Sequence, residues 1–326
     1  SLRGQTVRIP NMASLFQSWP TKVNPAVDRM RVEIKEWLNS TMPPGKVLTA
    51  LQASDFGFFG ATWWPCAPFP QLRIVTYLVV WLFIWDDEID LSDGTMWNAF
   101  SAAQLYRDQT LSYVRYTLGI DATRPLVTNH IILMFAPIGE AVRERYSLAQ
   151  RMMFYNEIRY FMEMSEREQR LRLAGPIPNL EEFWRYRLGS SAVTVCLALN
   201  EFSWEAMDLP LEFYADDDVK SIFRYTNTII SATNDLVSIK KEVKRDAIDS
   251  LIPIIYSHVG DVQIAVAEVI AFIAAEIGNL DDAAENLVMR YASADDKTQA
   301  QVRDFVDGCK HYSTGNFIWS LETDRY

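Results

Sequence analysis

Cysteine and histidine are scarce in this chain of 326 residues, with three of each: Cys66, Cys196, Cys309 and His130, His258, His311. There is no CxxC pair and no two histidines are neighbours, which argues against a disulfide framework and against the usual His/Cys zinc site. Free thiols suit a reducing compartment, so a cytoplasmic location is expected. Basic residues are also short: 31 Lys+Arg against 42 Asp+Glu leave a net charge of −11. Bulk nucleic-acid binding needs clustered Lys/Arg, and docking on an anionic membrane needs the same, so both are excluded as main activities. Strand signals are missing too. No sustained period-2 alternation occurs, and no Asn-Gly or Asp-Gly turn joins two such runs. The longest nearly unbroken apolar run, Ile74–Trp85, has 12 residues, well under the roughly 20 of a membrane span. The chain opens on Ser1 rather than Met, as a trimmed chain would, and no charged-then-apolar signal segment follows.

Hydrophobic residues make up 49% and charged residues 22% of the chain, a globular composition with enough length to bury a large core. Helical signals are abundant. The stretch 27–38 sets Val27, Met30, Val32, Ile34, Trp37 and Leu38 among charges, as an amphipathic helix does, and stops before Pro43-Pro44. Residues 148–173 form a long charged segment without Gly or Pro, closed by Gly175-Pro176-Ile177-Pro178. Further helices are expected over 219–243, 262–277 and 298–320, and Pro137 is expected to kink a helix that contains it. Ile74–Trp85 reads as a helix buried on all sides. No repeat, low-complexity stretch or compositional break marks a linker, so residues 1–326 read as one all-α domain of ten or more helices.

Two polar constellations sit on these helices. Asp86-Asp87-Glu88-Ile89-Asp90 follows the apolar run directly. At 3.6 residues per turn, Asp86 and Asp90 lie about 40° apart on one face. Hard oxygen ligands of this kind suit Mg²⁺, which bridges a few carboxylates to substrate phosphates. A solvated acidic helix end is the plainer alternative. The loosely similar Asp281-Asp282-Ala283-Ala284-Glu285 is read that way, as a surface turn and helix start. The second constellation is Asn234-Asp235-Leu236-Val237-Ser238-Ile239-Lys240-Lys241-Glu242. Asn234, Ser238 and Glu242 stand at i, i+4 and i+8, along one stripe within about 80° of arc. An amide oxygen, a hydroxyl and a carboxylate so arranged form a ladder for a second hard cation. Lys240, Lys241, Lys244 and Arg245 make this helix end locally basic.

With Arg325-Tyr326 at the end of the sequence, the two motifs together resemble the microbial class I terpene cyclases, and most closely those of the fungal sesquiterpene synthases. Asn234–Glu242 fills every fixed position of that family's (N/D)DxxSxx(K/R)E pattern. The resemblance implies a class I terpenoid synthase-like helical bundle around an apolar cavity. It implies three Mg²⁺ ions held by Asp86 and Asp90, with Asp87 in support, and by Asn234, Ser238 and Glu242. Lys241, Arg325 and Tyr326 match positions that hydrogen-bond the substrate diphosphate. Arg187 matches the arginine that senses it, with Arg185 as competitor, and Ser190 and Ser191 fall at the adjoining helix break. Trp319 matches a family Trp position and Phe83, three residues before Asp86, falls on the cavity side of its helix, so both are candidates to shield a carbocation, with Phe59, Trp63 and Trp64 as looser candidates.

The chemistry is coherent without the family. Ionising an allylic diphosphate needs the leaving charge neutralised by metals and Arg/Lys donors. The cation then needs a dry wall of aromatic faces. The expected activity is Mg²⁺-dependent cyclisation of a prenyl diphosphate, farnesyl diphosphate foremost, to a sesquiterpene hydrocarbon or alcohol, by a monomer or homodimer. A diterpene cyclase using geranylgeranyl diphosphate is the nearest alternative. A chain-elongating prenyl diphosphate synthase would carry a second Asp-rich motif followed by basic residues, which Asp281–Glu285 lacks. A non-catalytic helical interaction protein would have no reason to retain every metal and phosphate position with a competent side chain.

Overall fold

A computed structural model describes residues 2, 4–90, 94–244 and 249–325. Arg245 and Tyr326 lie outside the described residues. Among the described residues there is no strand. The helices are α1 (Val27–Thr41), α2 (Lys46–Ala53), α3 (Phe56–Trp63), α4 (Phe69–Asp90), α5 (Phe100–Thr117), α6 (His130–Leu133) and α7 (Ala136–Arg145) in the first half. In the second they are α8 (Leu148–Ala174), α9 (Leu180–Ser190), α10 (Val193–Leu197), α11 (Asp217–Lys244), α12 (Leu251–Val259), α13 (Val262–Arg290) and α14 (Asp296–Glu322).

Local chemistry sets many of these ends. Ser147 and Gln150 close a capping box at the start of α8, and Asn179 and Glu182 do the same for α9, each satisfying backbone donors that a helix start leaves open. Gly175, with φ +92°, ends α8 in the left-handed conformation that favours glycine. Two sequence expectations need correction. Pro137 does not kink a helix; it stands in the first turn of α7, where its missing N–H costs nothing. The Asp281–Glu285 cluster is neither turn nor helix start. α13 runs through it to Arg290, because Asp281 is tied down by the Trp19 indole N–H at 2.9 Å and by Lys310 at 2.6 Å. The apolar run 74–85 is the middle of a 22-residue helix, α4. By length and composition α4 and α13 could each cross a membrane, yet 67% of the apolar window of α4 is buried inside the protein.

The middle of α4 has no polar face to show to water, and α1, α3, α6, α7 and α10 pack against this helix. Every residue from Ile74 to Trp85 is buried except Phe83. α3 lies between α1 and α14, α8 runs along α9, and α11 packs on α13 and α14. Two glycines set how closely these helices meet. A Cβ at Gly60 of α3 would stand 2.0 Å from Thr76 Oγ1 of α4, and one at Gly315 of α14 would stand 2.6 Å from the Thr62 carbonyl oxygen of α3. Contact this close brings α3, α4 and α14 together along one side of an internal chamber. α8, α9, α10 and α11 enclose the other side.

Candidate active site

α4 delivers its carboxylates in its last turn, with Asp86, Asp87, Glu88 and Asp90 near the C-terminus. The helix macrodipole disfavours negative charge there. Opposite them, α11 presents Asn234, Ser238, Lys241 and Glu242. These residues, with Asp86, Asp87, Asp90, Arg187 and Arg325, line one polar compartment of about 960 Å³, open mouth included. An apolar compartment of about 730 Å³, open mouth included, adjoins it. Phe59, Trp63, Val79, Leu82, Phe161 and Ile230 are among its walls. Phe83, Asp86, Arg187 and Asn234 line both compartments. The two therefore meet at a charged threshold.

Hydrogen bonds fix the polar groups. Arg187 donates through Nη2 to Asn234 Oδ1 at 3.2 Å and to Asp235 Oδ1 at 2.8 Å. Asp235 also accepts from the Leu251 N–H at 2.9 Å. Ser238 Oγ lies 2.7 Å from the Asn234 carbonyl oxygen and donates to Glu242 Oε1, while Ser250 donates to Glu242 Oε2 at 2.6 Å. The i, i+4, i+8 stripe is thus bonded along its length. Arg325 reaches across to Asp87 Oδ1 at 2.9 Å, and its guanidinium sits 4.5 Å from the centre of the Phe83 ring. α9 ends at Ser190, and Ala192 adopts φ +58° before α10 begins. The helix is therefore broken beside Arg187, and Ser190, Ser191 and Ala192 all line the apolar compartment. Arg185 points elsewhere and pairs with Glu181 on the surface.

The electrostatics show a site overloaded with negative charge. Burial raises the Asp86 carboxyl well above the ordinary range, and Asp90, Glu168 and Asp87 push it further, against Arg187. Burial also raises Asp90, while Arg172 opposes the shift. Glu168 is pushed up to about 8 by burial and then by Asp90 and Asp249. Glu242 rises to about 7 through burial and Asp235, against the hydrogen bonds from Ser238 and Ser250. Burial pulls the Arg187 guanidinium down, but Asp235, Glu168 and Glu242 outweigh it and hold the charge firmly on. Carboxyls in this state gain most from a cation that neutralises them. The donor set is all oxygen, which fits a hard divalent ion. Among the described residues, no three acidic, His or Cys side chains are close enough to hold an ion by themselves. A hard ion such as Mg²⁺ takes one or two carboxylates and fills its octahedron with water and substrate phosphate.

Phe83, Phe59 and Trp63 form part of the apolar wall. Trp319 is fully buried and stands behind that wall, with its ring centre 4.8 Å from that of Phe59 and 5.9 Å from that of Phe83. Its indole N–H donates to the Ser54 carbonyl at 2.9 Å. Trp64 is turned away and donates to the Tyr312 hydroxyl. Two groups in the polar compartment have no motif to announce them. Glu168 lines it, and Arg172 donates to Asp90 Oδ1 at 3.0 Å. A signal for them does exist. Ser165, Glu168, Gln169 and Arg172 recur at i, i+3, i+4 and i+7, a polar stripe with helical spacing in α8. Ser165 and Gln169 are buried on it against Arg107.

The model for terpene synthase family 2, C-terminal metal binding, matches residues 77–278. That domain is metal-binding, which implies use of a divalent metal here. Sesquiterpene cyclase hepA of Aspergillus oryzae is 34% identical over 98% of this chain and 88% of its own length. Terpene cyclase braA of Annulohypoxylon truncatum is 24% identical over 99% of this chain and 86% of its own. Among solved structures, an α-eudesmol synthase superposes with a TM-score of 0.81 at 18% identity, covering 93% of this chain and 97% of that one. Germacradien-4-ol synthase from Streptomyces citricolor gives 0.80 at 17% identity, covering 94% and 97%. Both share the class I helical fold. With its family model and a relative this similar along nearly its whole length, the chain belongs to terpene synthase family 2 and is a class I terpene cyclase of the microbial type.

Proposed function

We propose that the enzyme converts farnesyl diphosphate, with Mg²⁺, to a cyclic sesquiterpene and diphosphate, and that residues 1–326 act as one domain. The observation that carries this reading is the junction of the two compartments, where an apolar chamber opens through Phe83, Asp86, Arg187 and Asn234 onto the polar one. A prenyl diphosphate has the same two halves. Its chain fits the apolar side and its charged head the polar side.

In this reading Asp86 and Asp90, with Asp87 in support, and the Asn234, Ser238 and Glu242 stripe hold three Mg²⁺ ions. When bound, Mg²⁺ supplies neutralisation of the leaving group's charge. Arg187, Lys241 and Arg325 donate hydrogen bonds to the diphosphate oxygens, and Tyr326 joins them. Such donors are worth most as the C–O bond breaks and its electron pair departs with the diphosphate. Arg187 also ties the head group to the helix break at Ser191 and Ala192, since it stands one turn before the break while its guanidinium bonds Asn234 and Asp235 of α11. The allylic cation left behind meets the faces of Phe83, Phe59 and Trp63, whose quadrupoles attract it. Trp319 backs Phe59 and Phe83 and keeps their faces in place. The apolar wall shuts out bulk water while a double bond of the chain closes the ring.

The test is incubation of purified protein with geranyl, farnesyl and geranylgeranyl diphosphates and Mg²⁺, followed by gas chromatography–mass spectrometry. A cyclic C15 product from farnesyl diphosphate is expected. Turnover of the C20 substrate alone would move the enzyme to diterpene chemistry, and a longer prenyl diphosphate would mean elongation. No product from any of the three would sink the reading.

A further inference from the structure

Two buried N–H groups in the apolar chamber have no acceptor among the described residues: Nε1 of Trp63 and Nδ2 of Asn316. Each side chain is only 4% exposed, and each lines the same compartment. They come from neighbouring positions. α3 and α14 touch at Gly315, where an added Cβ would stand 2.9 Å from the Trp63 backbone nitrogen. The Trp63 ring lies 5.0 Å from that of Tyr312, one turn before Asn316 on the same helix. Ser191 and Ser231 on the same wall are engaged, since both donate to Asn227 Oδ1, at 2.8 and 3.1 Å. A buried donor without an acceptor costs about 1–3 kcal/mol, and two of them lining one chamber call for an oxygen.

We infer that Trp63 and Asn316 hold one water molecule against the chamber wall, and that they hold it in a form that cannot attack the carbocation. The inference rests on the prenyl-cation chemistry proposed above. Both groups are donors, and the indole N–H can be nothing else. A water that accepts from both has each lone pair committed, so none is left to form a C–O bond. It fills a corner of the mould that shapes the cation. The cation then ends by losing a proton to an oxygen of the released diphosphate, and the product is a hydrocarbon. Removing either donor frees one lone pair. The freed pair forms a C–O bond to the cation, the resulting oxonium gives one proton to a diphosphate oxygen, and a terpene alcohol leaves. Trp63 and Asn316 are thus specificity-determining positioning residues.

The experiment runs wild type, Trp63→Phe and Asn316→Leu with farnesyl diphosphate and Mg²⁺ in H₂¹⁸O, with products separated by gas chromatography–mass spectrometry. The wild type is expected to give unlabelled hydrocarbon. Each single variant should raise the ¹⁸O-labelled alcohol fraction by roughly tenfold, the scale of one hydrogen bond. A merely structural role would lower total turnover without introducing the label. Labelled alcohol as the main wild-type product would overturn the inference, as would two variants that turn over without any gain in label. Should no substrate be turned over, the reading of the reaction fails, and the niche is then judged by a crystal structure of the wild-type protein. An ordered oxygen within about 3.2 Å of both nitrogens supports it, and its absence refutes it.

Discussion

Replacing Arg187 with Met tests the central ion pair and separates its structural role from its chemical one. Asp235 has a side chain only 1% exposed, and Arg187 is its ionic partner at 2.8 Å. Removing one member of a buried pair leaves a charge with nothing to neutralise it, at a cost of about 3–5 kcal/mol. At about 2.1 cal/mol/K per residue, a chain of this length unfolds with roughly 0.7 kcal/mol/K of entropy, so the melting temperature should fall by about 4–7 °C. The sign with pH follows from Asp235, whose carboxyl burial already holds above the ordinary range, against the pull of Arg187. Without the guanidinium it rises further. A carboxyl raised in the folded state destabilises only where the unfolded chain ionises it. The deficit is therefore absent below about pH 4 and grows as pH rises through the folded value. Calorimetry of the wild type, Arg187→Met and the double variant Arg187→Met/Asp235→Asn between pH 5 and pH 8 reads this directly. The double variant should recover at least half of the lost stability yet no turnover, because the amide repairs the burial problem but donates nothing to a diphosphate. A single variant that melts within about 1 °C of wild type at pH 8, or a gap that does not narrow on acidification, would refute the reasoning.

Other outcomes follow from the same geometry. Asp86→Ala and Asn234→Ala should each cut turnover by about a thousandfold or more, the scale of losing a key electrostatic group; near-normal product formation by either variant would remove that residue from the metal set. Chelation with EDTA should abolish product formation and added Mg²⁺ should restore it, with activity that survives exhaustive chelation counting against the metal. Phe83→Leu should keep its melting temperature within a few degrees, since Phe83 is only part-buried, but lose about 1–2 kcal/mol of cation stabilisation. That amounts to a rate roughly fivefold to thirtyfold lower, measured by steady-state kinetics. Gly60→Ala should destabilise by about 1–3 kcal/mol, because its Cβ would stand 2.0 Å from Thr76 Oγ1; unchanged thermal unfolding would show that α3 and α4 can part without cost.

The parts of this structure that could be read from sequence are those in which one local rule acts alone. The stop at Gly175 and the 28-residue helix carrying Asn234, Ser238 and Glu242 each follow from neighbours in the chain. The stripe at i, i+4, i+8 is legible because helical geometry alone puts those side chains on one face. What escaped notice depends on contacts between distant segments. Asp281 looks like a surface acid until Trp19 and Lys310 are brought to it by the fold. Glu168 and Arg172 look like two more charges in a charged helix, and only the approach of α4 makes them part of the site. Trp319 reads as a cavity aromatic, yet which aromatics face the chamber and which stand behind is decided by the close contact of α3, α4 and α14.

The arginines of the polar compartment are already bonded to its acids: Arg172 to Asp90, Arg187 to Asp235 and Arg325 to Asp87. On the reading proposed above, metal and diphosphate enter by exchange. A cation arriving at Asp90 or Asp87 must displace an arginine, and the displaced guanidinium needs an anion to receive it. The diphosphate is that anion. Each ligand thus lowers the free-energy cost of admitting the other, and linkage makes the effect equal in both directions. Such a site binds metal weakly by itself and head group weakly by itself, and both strongly together. The consequence is a threshold in composition: the ionising charge cluster assembles only when substrate and metal are present at once, so the reactive chamber is not armed by either alone.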